Sequence, residues 1–218
     1  MTVSIVPLRS AGDPRFDAVT AIYRDAIEPS EQKSLQQLRA QIDDDRYACL
    51  IAEAAGGEII GFAITFIPHS KEFWLLEYVA VAGNARSSGL GSALLTAAVA
   101  YAAEHAPGAP GILEVDAPRD DLDASSPIRR RLAFYARHGC RLIEGLSYIL
   151  PLSHAGTPPP MQLLLLAQTP PATLAREDLQ RWLATLYSQV YGKPADDPRI
   201  ATMISPLPPE VRITERLQ

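Results

Sequence analysis

Cysteine is nearly absent. The 218-residue chain holds two, Cys49 and Cys140, far apart, with no C-x-x-C pair and no Cys/His cluster near either. That scarcity argues against a disulfide framework and against a zinc site, so no metal is expected. Long apolar runs are missing as well. A run such as Leu163 to Ala167 is far too short to span a bilayer, so no membrane partner is expected. Met1 to Ser10 lacks a basic stretch followed by an apolar region, so no secretory signal is expected and the cytoplasm is the expected location. Nor is there an excess of positive charge: the formal net charge is -5, which argues against a nucleic-acid partner. Internal repeats and low-complexity blocks are lacking too. What remains is an ordinary globular composition, 47% hydrophobic and 21% charged. It suits one domain, or one domain with a small appendage, and can bury a core unaided by disulfides or metal.

Hydrophobic periodicity divides the chain into alternating elements. Val3 to Leu8 reads as a strand. Asp13-Pro14 offers a cap and a helix-starting proline, and Phe16, Val19, Ile22, Tyr23 and Ala26 recur at helical spacing over residues 14–27. A shorter helix carries Leu35, Leu38 and Ile42, and Asp43-Asp44-Asp45 then reads as a solvated turn. Two apolar strands, 47–54 and 58–67, flank Gly56-Gly57 as a hairpin, and 73–82 is a third. Leu90, Ala93, Leu94, Ala97, Ala98 and Tyr101 then fall on one helical face. Residues 111–117 form the next strand. A charged loop with Arg119, Asp120, Asp121 and Asp123 leads to Ser126-Pro127, a cap with a first-turn proline. The helix behind it carries Ile128, Leu132, Tyr135 and Ala136 and stops at Gly139. Residues 141–150 and 161–168 read as two last strands around a proline-rich link that includes Pro158-Pro159-Pro160 and His154. Residues 173–191 read as one amphipathic helix, a cap or a candidate association surface, and Pro194 to Pro209 as an extended tail. The fourth and fifth strands are joined through a helix, so they can lie parallel in a right-handed crossover.

Arg86-Ser87-Ser88-Gly89-Leu90-Gly91-Ser92 sits between a strong strand and a strong helix. A helix start presents unpaired N–H groups and a positive dipole end. Two glycines let backbone approach an anion closely, and Arg86 adds a permanent cation. A dinucleotide fingerprint would need glycine where Leu94 stands, and a Walker loop would need a lysine that is missing; both are rejected. A plain tight turn would use similar residues.

Tyr78-Val79-Ala80-Val81, then Arg86-Ser87-Ser88-Gly89-Leu90-Gly91, then Ala93-Leu94-Leu95 resembles the central motif of the GNAT superfamily of acyl-CoA-dependent N-acetyltransferases. Phe134-Tyr135-Ala136-Arg137-His138-Gly139-Cys140 resembles the family's Phe-Tyr-x-x-x-Gly-Phe helix, departing only in Cys140, where an aromatic is usual. The element order agrees over residues 1–168. The resemblance implies an α/β fold: a mixed, mostly antiparallel twisted sheet of about seven strands, helices on both faces, splayed between its fourth and fifth strands. Residues 169–218 would be a C-terminal helix and proline-rich tail packed on, or extending from, that domain. It further implies acetyl-CoA as cosubstrate. The amides of Arg86, Ser87, Ser88, Gly89, Leu90, Gly91 and Ser92 would hold its pyrophosphate, and the backbone of Val79, Ala80 and Val81 would meet the pantetheine arm as another strand would.

Acetyl transfer needs a free amine, and an amine of pKa about 10.4 is free in only about one molecule in 10³ at pH 7. It also needs donors for an oxyanion and help for the departing thiolate. By the resemblance, Tyr135 matches the tyrosine that assists the thiolate. Glu77 and Glu114 are the two candidates for the base. Strand periodicity puts Ile112, Glu114 and Asp116 on one face and Glu77 with Val79 on another, unless a bulge intervenes. If the acidic faces meet at the splay, they form an anionic pocket suited to a cationic amine. For either glutamate a structural ion pair is the competing reading. Arg129-Arg130-Arg131 reads as a solvated helix start, and Trp74 and Trp182 as packing residues. The expected partner is an amine-bearing small molecule or peptide, with a homodimer a candidate assembly. The alternative from another class is a non-catalytic acyl-CoA-binding sensor or scaffold.

Overall fold

The computed structural model describes residues 3–118, 123, 126–152 and 160–217. Arg119, Asp120 and Asp121 of the charged loop, and His154, Pro158 and Pro159 of the proline-rich link, lie outside the described residues. The chain divides into two compact units, residues 1–107 and 108–218.

The first unit is an antiparallel meander, β1 (Val3–Leu8), β2 (Tyr47–Ala54), β3 (Ile59–Phe66) and β4 (Trp74–Val81). Its helices are α1 (Phe16–Ala26), α2 (Leu35–Ile42) and α3 (Leu90–His105). Phe62 meets Tyr23 of α1, whereas the neighbouring Gly61 faces Leu90 and Leu94 of α3, so the two helices cover opposite faces. A Cβ at Gly61 would stand 2.9 Å from the Ala80 carbonyl oxygen and 3.0 Å from Leu94. That glycine is what lets α3 lie so close to the sheet. The hairpin turn between β2 and β3 uses Gly57 at φ +82°.

Ser34 caps α2 through a full capping box with Gln37. The expected Asp13 cap for α1 is not formed, because Pro14 and Arg15 stay outside the helix. Asp13 instead accepts from the Arg15 backbone N–H at 2.9 Å and pairs with its guanidinium. The same clamp recurs at Asp44-x-Arg46 and Asp197-x-Arg199. The acidic run after α2 is therefore more than a solvated turn, since Asp43 also accepts from the Ala11 N–H at 2.9 Å. In α3 the buried stripe is Leu90, Leu94, Leu95, Ala98 and Ala102, rotated from the expected face, with Ala93 exposed. A helix this rich in alanine and leucine has too little polarity contrast to define its inner face.

The second unit contains β5 (Gly111–Asp116), α4 (Pro127–Arg137), β6 (Arg141–Ile143), β7 (Met161–Leu166), β8 (Thr173–Ala175), α5 (Arg176–Thr185), α6 (Pro198–Ile204) and β9 (Glu210–Thr214). Its strands run β5-β7-β6-β9-β8, every neighbouring pair antiparallel. Among the described residues nine strands are thus present rather than about seven, and the additions, β8 and β9, both come from the C-terminal segment.

Three expectations need correction here. The strand expected over 141–150 breaks at Gly145, whose φ of +80° turns the chain, and Tyr148 bridges back to Met161. The helix expected over 173–191 begins as β8, continues as α5 and ends in a π-helical turn over Leu186–Val190. The expected tail after Pro194 is α6 and β9: Pro198 is the first residue of α6, and Pro208 and Pro209 immediately precede β9. The apolar stripe Leu179, Trp182, Leu183, Leu186, Tyr187 and Val190 is buried within the chain, which leaves it unavailable as a free association face.

Candidate active site

The turn between β4 and α3 is built from main chain. Gly83–Ala85 makes a single 3₁₀ turn, Arg86 is extended, and Ser87 and Gly89 take φ of +63° and +84°. A serine in the left-handed region is uncommon, and left-handed residues in a turn aim successive N–H groups at one point, the geometry that receives anions. Gly89 is the N-cap of α3 and supplies no side-chain cap, so the helix dipole meets the turn uncovered by a side chain. The Ser88 hydroxyl donates to the Ala85 carbonyl at 2.7 Å and fastens the loop. Residues 86–89 are exposed and Leu90 is buried, while Gly91 and Ser92 are half-buried. Val79 and Val81 are half-buried and Ala80 is buried; β3 pairs Val79 with Ala63 and Val81 with Gly61. The exposed Arg86 lies 3.7 Å from Asp25, a contact that water and salt weaken.

Glu77 occupies a β-bulge: Ile64 pairs with Tyr78 and Thr65 with Leu76, which leaves Glu77 as the extra residue. The bulge upsets the alternation that would place Glu77 and Val79 on one face. It turns the Glu77 carboxylate into an ion pair with Lys33, the two side chains 1% and 2% exposed, while Gln41 Nε2 donates to both carboxylate oxygens at 3.1 Å. Around this pair the Lys33 N–H donates to the Tyr23 hydroxyl at 2.7 Å, and the Tyr78 hydroxyl donates to the Glu31 carbonyl. The linker between α1 and α2 is therefore anchored from beneath by β4. The sequence reading named Glu77 but missed Lys33 and Gln41, since nothing local marks a lysine 44 residues away as its partner.

In the second unit Glu114 lies on β5 opposite Leu163 of β7. Its carboxylate accepts from two phenols, Tyr148 at Oε1 and Tyr191 at Oε2. Burial first, and the Glu114 charge second, drive the Tyr148 phenol well above its usual pKa. Both tyrosines were missed by sequence reasoning, because neither belongs to a motif. Two residues along β5, Asp116 is paired with Arg131 of α4 at 2.7 Å, so Arg131 is not a simple solvated residue. Tyr135 is buried on α4, and burial pushes its phenol up to about 12. Its ring lies edge-on to Phe134, and its carbonyl accepts from the Cys140 N–H at 3.1 Å. Among the described residues no group of three His, Cys, Asp or Glu side chains is placed to hold a metal ion, and no helix is long and apolar enough to cross a membrane.

Residues 16–139 match the model of the acetyltransferase (GNAT) family, a span running from α1 through α4 and containing the turn, both glutamates and Tyr135. The chain belongs to the GNAT family. It therefore carries an acyltransferase domain, of a family that moves an acyl group from acyl-CoA to an acceptor. Solved structures agree with the GNAT fold. A protein described as a GNAT-family acetyltransferase from Bacteroides thetaiotaomicron superposes with a TM-score of 0.65 at 23% identity, covering 87% of this chain and 98% of that one. The ribosomal-protein-S18-alanine N-acetyltransferase of Escherichia coli superposes at 0.58 and 19% identity, covering 78% and 96%. The IAA acetyltransferase of Bacillus cereus does so at 0.53 and 19%, covering 76% and 99%. No curated protein matches the GNAT chain by sequence.

Proposed function

We propose that the chain is an N-acetyltransferase that passes the acetyl group of acetyl-CoA to a primary amine by direct attack. The observation that carries this reading is the turn ahead of α3, where Ser87 and Gly89 are left-handed and no side chain caps the helix. The amides of residues 86–92 would receive the diphosphate, with Arg86 adding charge, and the main chain of Val79, Ala80 and Val81 would take the pantetheine arm. The acetyltransferase domain is assigned to residues 1–168, with 169–218 as its extension.

Glu114 is assigned as the base. Its partners Tyr148 and Tyr191 orient a carboxylate without adding positive charge, whereas Glu77 is neutralised by a buried ammonium and is assigned to anchoring the linker. The amine attacks as its free base: its nitrogen bonds to the thioester carbon, and the one proton it must then lose passes to Glu114. The C–S bond then breaks, and the thiolate leaves against the Tyr135 hydroxyl. A phenol at about 12 lies well above a thiol at about 8.5, so Tyr135 donates a hydrogen bond that strengthens with developing charge rather than a whole proton. A carboxylate base favours a cationic amine, in a small molecule or at a peptide N-terminus.

The test is thiol release from acetyl-CoA over a panel of amines, beside calorimetry of coenzyme A binding. Turnover on at least one amine, with Gly89→Ala weakening coenzyme A binding, is the expected result. Absence of measurable affinity for coenzyme A overturns the reading, and tight binding without turnover on any amine favours a sensor.

A further inference from the structure

Glu114 is gripped by phenols that reach it from two distant stretches of the second unit. Tyr148 lies in the connector between β6 and β7, where its main chain bridges Met161. Tyr191 follows α5, 77 residues beyond Glu114, directly after the π-helical turn. That turn is closed by the Tyr191 N–H donating to the Leu186 carbonyl at 3.3 Å, a five-residue step. Such wide turns are rare within helices and concentrate at functional sites. Tyr187, inside the same turn, donates its hydroxyl to the Ile149 carbonyl at 2.5 Å and so holds the connector that carries Tyr148. One wide turn thus positions both donors, Tyr191 directly and Tyr148 through the pinned connector.

We infer that Tyr191, with Tyr148 beside it, is a positioning residue for Glu114: the two hydroxyls hold both carboxylate oxygens in one rotamer and keep the group ionised to receive an amine's proton. This rests on the reading of Glu114 as the base. The chemistry of the donors supports the assignment. A lysine or arginine in their place would orient the carboxylate equally well, but would repel an incoming ammonium and weaken the base. A phenol supplies the hydrogen bond and stays neutral. Other titratable groups near the cluster include Tyr187, which interacts electrostatically with both Tyr148 and Glu114; Asp116, paired with Arg131; and the Asp197–Arg199 pair, whose guanidinium lies 5.3 Å from the centre of the Tyr187 ring. From the neighbouring strand β7, the residue opposite Glu114 is the apolar Leu163.

The test needs no acceptor. In the full chain labelled with carbon-13 at the glutamate side-chain carboxyls, Glu114→Gln identifies the Glu114 resonance by its disappearance. Tyr191→Phe is expected to raise the titration midpoint of that resonance by about one pH unit, because a donor to the charged form is lost. Tyr148→Phe is expected to move it the same way, and thermal unfolding checks that both variants fold. A Tyr191→Phe variant that unfolds at lower temperature but titrates like the parent assigns packing alone and overturns the inference. So does an unmoved midpoint in both variants. The base reading is tested apart from this, by thiol release from acetyl-CoA with spermidine, cadaverine and an alanine-led tripeptide. If Glu114→Gln turns over like the parent while the Tyr191→Phe shift is present, the base reading fails and the phenol grip on Glu114 stands.

Discussion

Lys33 and Glu77 meet almost wholly out of water, and their joint burial makes each dependent on the other. Glu77→Gln leaves an ammonium buried without its counter-charge and is expected to cost about 3–5 kcal/mol in urea unfolding. Replacing both at once, Lys33→Met with Glu77→Leu, is expected to recover most of that loss. Tyr135→Phe is expected to lower kcat about 10- to 100-fold with coenzyme A affinity unchanged, since the role assigned to its hydroxyl begins only when the thiolate leaves. At this scale, what was legible is position inside a short pattern: the turn from Arg86 to Ser92 ahead of α3, Tyr135 beside Phe134 on α4, and the two glutamates on their strands. Lys33, Gln41, Tyr148 and Tyr191 were not. Their partners lie between 34 and 77 residues away, and no local periodicity encodes such a distance.

Among the elements, α3 and the strands beneath it depend on one missing side chain. Gly61→Ala places a methyl 2.9 Å from the Ala80 carbonyl oxygen, so β4 and α3 must shift, at an expected cost of about 1–3 kcal/mol read from chemical unfolding. The β2–β3–β4 meander and α2 were readable because apolar period, glycine turns and caps agree there, whereas α3 was readable in extent but not in its buried face. Apart from the strand expected over 161–168, which is β7, the region after residue 141 was not readable. Its prolines suggested a tail, yet Pro198 opens a helix and Pro208-Pro209 precede a strand, so proline here marks boundaries between ordered elements. Thr173-Leu174-Ala175 is drawn out of the expected helix by pairing with β9, a long-range contact that overrides local preference.

For the molecule as a whole, several acidic side chains are buried in their protonated form. Burial pushes the thiols of Cys49 and Cys140 up to about 12 and the Tyr135 phenol to about 12, and it raises those of Tyr47, Tyr148 and Tyr187 as well. Each folded value lies above the unfolded one, so the stabilisation is complete below about pH 8 and fades as pH rises from there towards 12, the thiols first. At pH 10.5 each thiol is expected to have cost roughly 2 kcal/mol relative to pH 8, which paired urea titrations would show. The same burial predicts that neither thiol reacts with a disulfide reagent at pH 8 until the chain is unfolded.

β6 has β7 on one side, and its other neighbour, β9, consists of residues 210–214. During translation the first meander can close before β9 is made, because all its strands precede residue 82. The second unit has to wait. Its innermost short strand stays half-paired until those late residues clear the ribosome, so a stalled or prematurely terminated product would carry a finished amino-terminal half and a sticky, incomplete remainder, a natural substrate for chaperones and proteases.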